Sequence, residues 1–193
     1  MSKNDSYFSG EKYNLKAKKL GYRSRAAFKL IDINKKENIL RKNLNIIDLG
    51  SAPGGWSQVV SKELNGTGSI IAIDILDMPK IKDVKFIKSD LREFDQNKLN
   101  QPIDVVISDI APNISGVRFI DDTNMIDLLE IELSIVDKTL VKGGNFLAKC
   151  FEGVSSEFLR KEINKRFKIM KRLKPDSSRK ISKEIYLLGL NKN

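Results

Sequence analysis

The sequence predicts an α/β domain: a seven-stranded, mostly parallel sheet with its last strand antiparallel and helices on both faces. Three observations predict it. Seven short apolar runs of strand type recur: "NIIDL" (45–49), "SIIAID" (69–74), "VKFIKS" (84–89), "DVVISD" (104–109), "GNFLAKCF" (144–151), "FKIMKRL" (167–173) and "EIYLLGL" (184–190). Helical patterns at 55–64, 122–141 and 155–166 separate most of them, and strand alternating with helix marks a parallel sheet. Only "KPDSSRKISK" lies between the last two runs. That is too short for a helical crossover, so these two pair antiparallel.

Two helices precede the first strand, over 11–20 and 24–37, with Ser24 as N-cap of the second. The stretch 91–100 carries no clear pattern. A length of 193 residues suggests one domain over 1–193, with 1–42 as a basic helical extension. No apolar run reaches the roughly eighteen residues of a membrane span. The N-terminal stretch has no signal-peptide core, so a soluble, cytoplasmic protein is expected. The single cysteine, Cys150, allows no internal disulfide. Histidine is absent, which excludes histidine bases and zinc sites of His/Cys type.

Charge is distributed unevenly. Residues 1–42 hold twelve Lys/Arg against four Asp/Glu, and 160–193 hold twelve against three. Residues 43–159 hold eleven against eighteen, a net of −7. Basic ends around an acidic centre are an electrostatic footprint for nucleic acid.

In doubly wound sheets a ligand sits at the carboxyl ends of the strands. The first strand ends in "DLGSAPGGW" (48–56). Its glycines, Gly50, Gly54 and Gly55, do not fit the dinucleotide spacing, which Ala52 interrupts. Nor do they fit a P-loop, where Trp56 replaces the lysine. The turn offers glycine backbone without a cation for phosphate, which suits a nucleoside ligand such as S-adenosylmethionine. Asp74 ends the second strand, where a carboxylate accepts from ribose hydroxyls. Asp90 ends the third, in place for an adenine amino group. Trp56 fits either the ligand or the core.

A methyl donor needs an acceptor. Cys150 is alone in an apolar strand, and "SDIAPN" lacks the Asn/Asp-Pro-Pro turn of amino-methylating enzymes. Hydroxyl methylation fits better, and it needs a group that orients the hydroxyl and accepts its proton. Lys149, in the otherwise apolar "NFLAKCF", is the first candidate, because burial favours a neutral amine. Asp109, ending the fourth strand, shares that rim. Lys29 and Glu184 are weaker candidates on their own, since lysines in helices and acids at strand edges are usually solvated.

Together, "SRAAFKL", "DLGSAPGGWSQ", "SDIAPNISG", "AKCFEG" and "KPDSSRKISKEIY" resemble, in order, the motifs of the FtsJ/RrmJ family. The resemblance runs from about Gly21 to Leu190. It implies a Rossmann-like, S-adenosylmethionine-dependent ribose 2′-O-methyltransferase with a Lys-Asp-Lys-Glu tetrad at Lys29, Asp109, Lys149 and Glu184. It implies methyl-donor contacts at Gly54, Trp56, Asp74, Asp90 and Asp109, and no metal. The chain is similar in size to the family's bacterial ribosomal RNA enzymes. That likeness implies RNA as partner: a uridine in the A-loop of large-subunit rRNA, methylated on the ribosomal particle by a monomer. The extension 1–42 then contributes to both the RNA face and the active site. Ser51 and Cys150 depart from the usual alanine and valine, and "GVRFIDDTN" from a proline-containing segment. Two rival readings stay open: a 2′-O-methyltransferase of transfer RNA or of a messenger cap, and a non-catalytic RNA-binding module on the same fold.

Overall fold

In the computed structural model, residues 3–99, 101–179 and 181–193 are described. Met1, Ser2, Asn100 at the end of the 91–100 stretch, and Lys180 of "KPDSSRKISKEIY" lie outside them. The elements run α1 (Lys3–Lys19), α2 (Ala26–Glu37), β1 (Asn45–Leu49), α3 (Gly55–Leu64), β2 (Ser69–Asp74), β3 (Val84–Lys88) and β4 (Ile103–Ser108). They continue with α4 (Arg118–Thr139), β5 (Leu140–Phe151), α5 (Val154–Arg166), β6 (Phe167–Leu173) and β7 (Glu184–Lys192). Among the described residues of 91–100, the only helix or strand is a 3₁₀ turn at Gln96–Lys98.

The seven strands form one sheet in the order β3-β2-β1-β4-β5-β7-β6. β7 is antiparallel to both of its neighbours, and every other pairing is parallel. Strand order reverses between β1 and β4, which opens a crevice at their carboxyl ends. An antiparallel strand begins where its parallel neighbours end. The register Phe151↔Glu184 and Lys149↔Tyr186 therefore brings the start of β7 to the same rim.

Alternation of side chains gives the sheet two apolar faces. α2 and α3 cover one, with Leu30, Ile33, Val60 and Leu64 against Ile46, Ile107 and Leu147. α4 and α5 cover the other, with Leu129, Val136, Leu159 and Ile163 against Ile47, Val106 and Phe146. α1 lies on α2 through Tyr13 and Phe28, whose ring centroids are 5.4 Å apart.

Several boundaries differ from the sequence reading: α1 begins at Lys3 rather than at 11, β5 begins at Leu140 rather than at 144, and the ends of α2 and α4 shift as well. Ser24 does not cap α2: the N-cap is Arg25, without a side-chain bond. A Cβ on Gly55 would lie 2.3 Å from Ser24 Oγ, so that hydroxyl packs where α2 meets α3. α4 starts at Arg118, because Asp121 accepts from the amides of Ser115 and Gly116 and draws the preceding loop onto the helix. It stops at Thr139, because Leu140 is already extended and pairs with Ile103.

Two carboxyls are buried beneath the rim. Asp48 Oδ2 accepts from Ser57 Oγ at 2.5 Å, and Glu132 Oε1 accepts from Ser108 Oγ at 2.7 Å. Burial pushes Asp48 up to about 7 and Glu132 up to about 8, against the opposing serine hydrogen bonds. Unfolded, such groups titrate near 4. The folded chain thus binds more protons between about 4 and 8, and stability falls as pH rises through that window. The melting temperature is expected to fall between about pH 4 and 8 and to level off above that range. Glu132→Gln keeps an acceptor for Ser108 and removes the charge, so its decline should be shallower. An equally steep decline in thermal scans of that variant would assign the effect elsewhere.

Candidate active site

The turn after β1 is shaped by close backbone approach. Gly50 has φ +66°, and a Cβ there would stand 2.1 Å from Ile110 Cγ1, so only glycine fits. The amides of Gly50 and Ser51 both donate to the Ile73 carbonyl, which ties the turn to β2. Asp74 accepts from the Ala52 amide through Oδ2 and from the Leu76 amide through Oδ1, each at 2.8 Å. These bonds fix the carboxylate at the rim and leave it further lone pairs. Asp90 is held by the Arg92 amide at 2.8 Å. Asp74, Asp90 and Asp109 all line one cavity of about 330 Å³, with Gly50 and Ile110 in its wall. That volume suits a small nucleoside ligand. Gly54, Gly55 and Trp56, which open α3, are not among the residues that line this cavity.

Two expected contacts sit differently. Trp56 is 3% exposed; its indole nitrogen donates to the Ala26 carbonyl at 2.9 Å and its ring lies 5.7 Å from that of Tyr186. The indole joins α3 to α2 and the sheet, and leaves only its backbone at the turn. Gly54, at φ +107°, is backed by Ile81, Met78 and the Arg23 guanidinium. Arg23 itself donates to the carbonyls of Pro53, Pro79 and Lys80, clamping the turn to the loop after β2. Arg23 was not anticipated; only its position beside "SRAAFKL" marked it.

Lys29, Asp109, Lys149 and Glu184 come together. Lys149 Nζ lies 3.1 Å from Asp109 Oδ1 and 3.9 Å from Glu184 Oε1, and donates to the Asp109 carbonyl at 2.5 Å. Lys29 Nζ lies 3.0 Å from Glu184 Oε2. Lys29 belongs to the helical face that packs on the sheet, which turns it inward rather than to water. Tyr186 completes the group: its hydroxyl donates to Asp109 Oδ1 at 2.6 Å, and its ring lies 5.7 Å from Lys29 Nζ. Tyr186 also went unanticipated, because in "EIYLLGL" it reads as one more alternating core residue.

Charge states follow from these contacts. Burial opposes ionisation of Glu184, but Lys29 and Lys149, with hydrogen bonds from Lys29 and Ser182, outweigh it and hold the carboxyl below its ordinary value. Burial, then the Asp109 charge, pushes the Tyr186 phenol well above its ordinary value, so it remains a donor. Burial pushes the Cys150 thiol up to about 12, which leaves it inert as a nucleophile.

A second cavity, of about 540 Å³, lies on the other side of this group. Lys29, Glu184, Arg25, Arg118 and Arg179 line it, and Ala111 lines both cavities. One cavity holds the strand-end carboxylates, the other is lined by cations and acids together, and the Lys29–Glu184–Lys149–Asp109 group stands between them.

Fold and site together define an S-adenosylmethionine-dependent methyltransferase of Rossmann-like architecture. The chain belongs to the FtsJ-like methyltransferase family, whose pattern matches residues 22–192. It is 43% identical over 183 residues to the ribosomal RNA large subunit methyltransferase E of Pseudomonas fluorescens, covering 92% of this chain and 88% of that protein. The protein of the same name from Nitrosospira multiformis is also 43% identical, over 91% of this chain and 88% of its own length. Among solved structures, a Plasmodium falciparum chain described as a ribosomal RNA methyltransferase superposes with TM-score 0.78 at 30% identity, covering 89% of this chain and 98% of that one. Aeropyrum pernix fibrillarin, solved with S-adenosylmethionine, shares the fold, with TM-score 0.61 at 18% identity over 88% of this chain and 75% of that one.

Asp74→Ala is expected to weaken S-adenosylmethionine binding by about 1.5–3 kcal/mol, roughly tenfold to a hundredfold in Kd. Calorimetry checks this, and equal affinities would remove Asp74 from the site.

Proposed function

We propose that this enzyme methylates a ribose 2′-hydroxyl of large-subunit ribosomal RNA, with Lys29, Asp109, Lys149 and Glu184 as its catalytic group. The observation that carries the reading is the buried Lys29–Glu184–Lys149–Asp109 chain at the junction of two cavities. The relatives' names supply the RNA class. The target is a uridine of the A-loop, reached on the ribosomal particle or its precursor. The protein acts as a monomer in the cytoplasm, and 1–193 works as one domain. Among the described residues, no helix is long and apolar enough to cross a membrane. Lys12, Lys16, Lys18 and Lys19 of α1 are exposed and free to take RNA phosphates.

Asp74 and Asp90 would hold the ribose and adenine ends of the methyl donor, with Asp109 in the same cavity, and the backbone at Gly54 and Trp56 would receive the methionine end. When bound, S-adenosylmethionine supplies a methyl group on a cationic sulfur, already activated for attack. The protein's task is to align the 2′-oxygen and manage its proton. Lys149 Nζ orients the hydroxyl at the cavity junction and, once it has given up its own proton, takes the one that leaves the hydroxyl as the O–CH3 bond forms and the donor's S–CH3 bond breaks, with the neutral thioether as leaving group. Asp109 and Glu184 stabilise the resulting ammonium. Lys29 neutralises Glu184 and steers the hydroxyl from the acceptor side. Tyr186 fixes Asp109 by its hydrogen bond.

Lys149→Ala is expected to abolish methyl transfer in single-turnover assays at saturating RNA and donor, while donor affinity persists. Lys149→Arg should not restore it, because a guanidinium stays protonated. Near wild-type rates for Lys149→Ala would show that another group handles the proton.

A further inference from the structure

Next in sequence to Arg118, which lines the larger cavity, stands an aromatic ring that neither the core nor the catalytic group uses. Phe119, in the first turn of α4, is 80% exposed. Ile114, Val117 and Ile120 beside it are also exposed. Side chains in a first helical turn lean back over the segment that precedes the helix. Here that segment holds Ile114 and Gly116, which line the cavity together with Arg118.

The ring stands on a fixed backbone. Asp121 accepts from the Ser115 amide at 2.7 Å, from Ser115 Oγ at 2.8 Å and from the Gly116 amide at 3.2 Å. Thr123 Oγ1 donates to the Phe119 carbonyl at 2.9 Å. A Cβ on Gly116 would meet nothing within 4 Å, so the surface at this glycine is open to a flat group. Arg118 reaches across the mouth to Gly153, where an added Cβ would lie 3.3 Å from Nη2.

The surrounding charge favours a polyanion. The acids lining the cavity are engaged: Asp121 with the loop, Asp122 with Arg118, Glu152 with Arg172 and Glu184 with Lys29. Among the described residues, Arg25, Arg179 and Lys183 line the same cavity and make no ion pair. An exposed ring on the helix turn whose Arg118 lines a cavity with three unpaired cations matches the chemistry of unpaired RNA: rings stack on bases and cations take phosphates.

We propose that Phe119 stacks on the unpaired base next to the target nucleotide, with the unpaired cations of the adjoining cavity, Arg25, Arg179 and Lys183, on the RNA phosphates. The segment 114–120 is then a docking surface for single-stranded RNA. This rests on the ribose-methylation reading above. An apolar contact with a protein is the competing use of the same ring, and it does not need aromaticity.

The test is steady-state methyl transfer to large ribosomal subunits that lack the methyl group, with wild type and Phe119→Ala, Phe119→Leu and Phe119→Trp. The half-saturating subunit concentration should rise roughly tenfold or more for the Ala and Leu variants, at unchanged kcat and unchanged S-adenosylmethionine affinity. The Trp variant should restore it, and its added fluorescence should be quenched by single-stranded oligouridylate. An unchanged KM for Phe119→Ala, beside a normal wild type, overturns the proposal. So does a Leu variant as good as wild type, which would point to a protein contact. A wild type that transfers no methyl to these subunits overturns the underlying reading instead.

Discussion

The site depends on charges held in pairs away from water. The side chains of Lys149 and Lys29 are only 6% and 10% exposed, and each lies against a carboxylate. A charge buried alone costs several kcal/mol, whereas a paired and hydrogen-bonded one is tolerated. Removing one member therefore strands another. Glu184 serves both lysines, at 3.0 Å and 3.9 Å, so the four residues form one electrostatic unit rather than two independent pairs. The same burial that makes the unit costly excludes water and strengthens each contact around the reacting oxygen.

The antiparallel strand makes this unit possible. Parallel strands deliver only their carboxyl ends to the rim, and these carry Asp74, Asp109 and Lys149. β7 enters from the opposite direction between β5 and β6, so its first residue, Glu184, meets Phe151 at that rim. Two residues on, Tyr186 stands beside Lys149 on the face covered by α2 and α3. From there its ring contacts Trp56 and Lys29, and its hydroxyl holds Asp109. α2 closes the arrangement by presenting Lys29 inward. Packing of helix, turn and strand thus fixes the geometry of both cavities at once.

Much of this was legible in the sequence, and the reasons differ by residue. The strands were legible because buried parallel strands read as apolar runs bounded by turns. Asp74, Asp90 and Asp109 were legible as the polar ends of such runs, and Lys149 as a cation where none belongs. Lys29 and Glu184 needed the motif resemblance, since a helical lysine and a strand-edge acid are solvated by default. Tyr186 was hidden because its role comes from cross-strand register, which no local pattern reveals. The indole of Trp56 was ambiguous until the contact with α2 settled its direction. Glu132 had a signal that passed unread: it lies on the apolar stripe of Met125, Leu129, Leu133 and Val136, where a buried acid is out of place. Phe119 carried no such pattern, because exposure in a loop-to-helix junction is a property of the fold.

The most direct measurement is transfer of labelled methyl from S-adenosylmethionine to unmethylated large ribosomal subunits, followed by mapping of the labelled atom. Label on a ribose 2′-oxygen at one nucleotide of the large-subunit RNA is the expected result. Label on a base, or on transfer RNA while the subunits stay unlabelled, would contradict it.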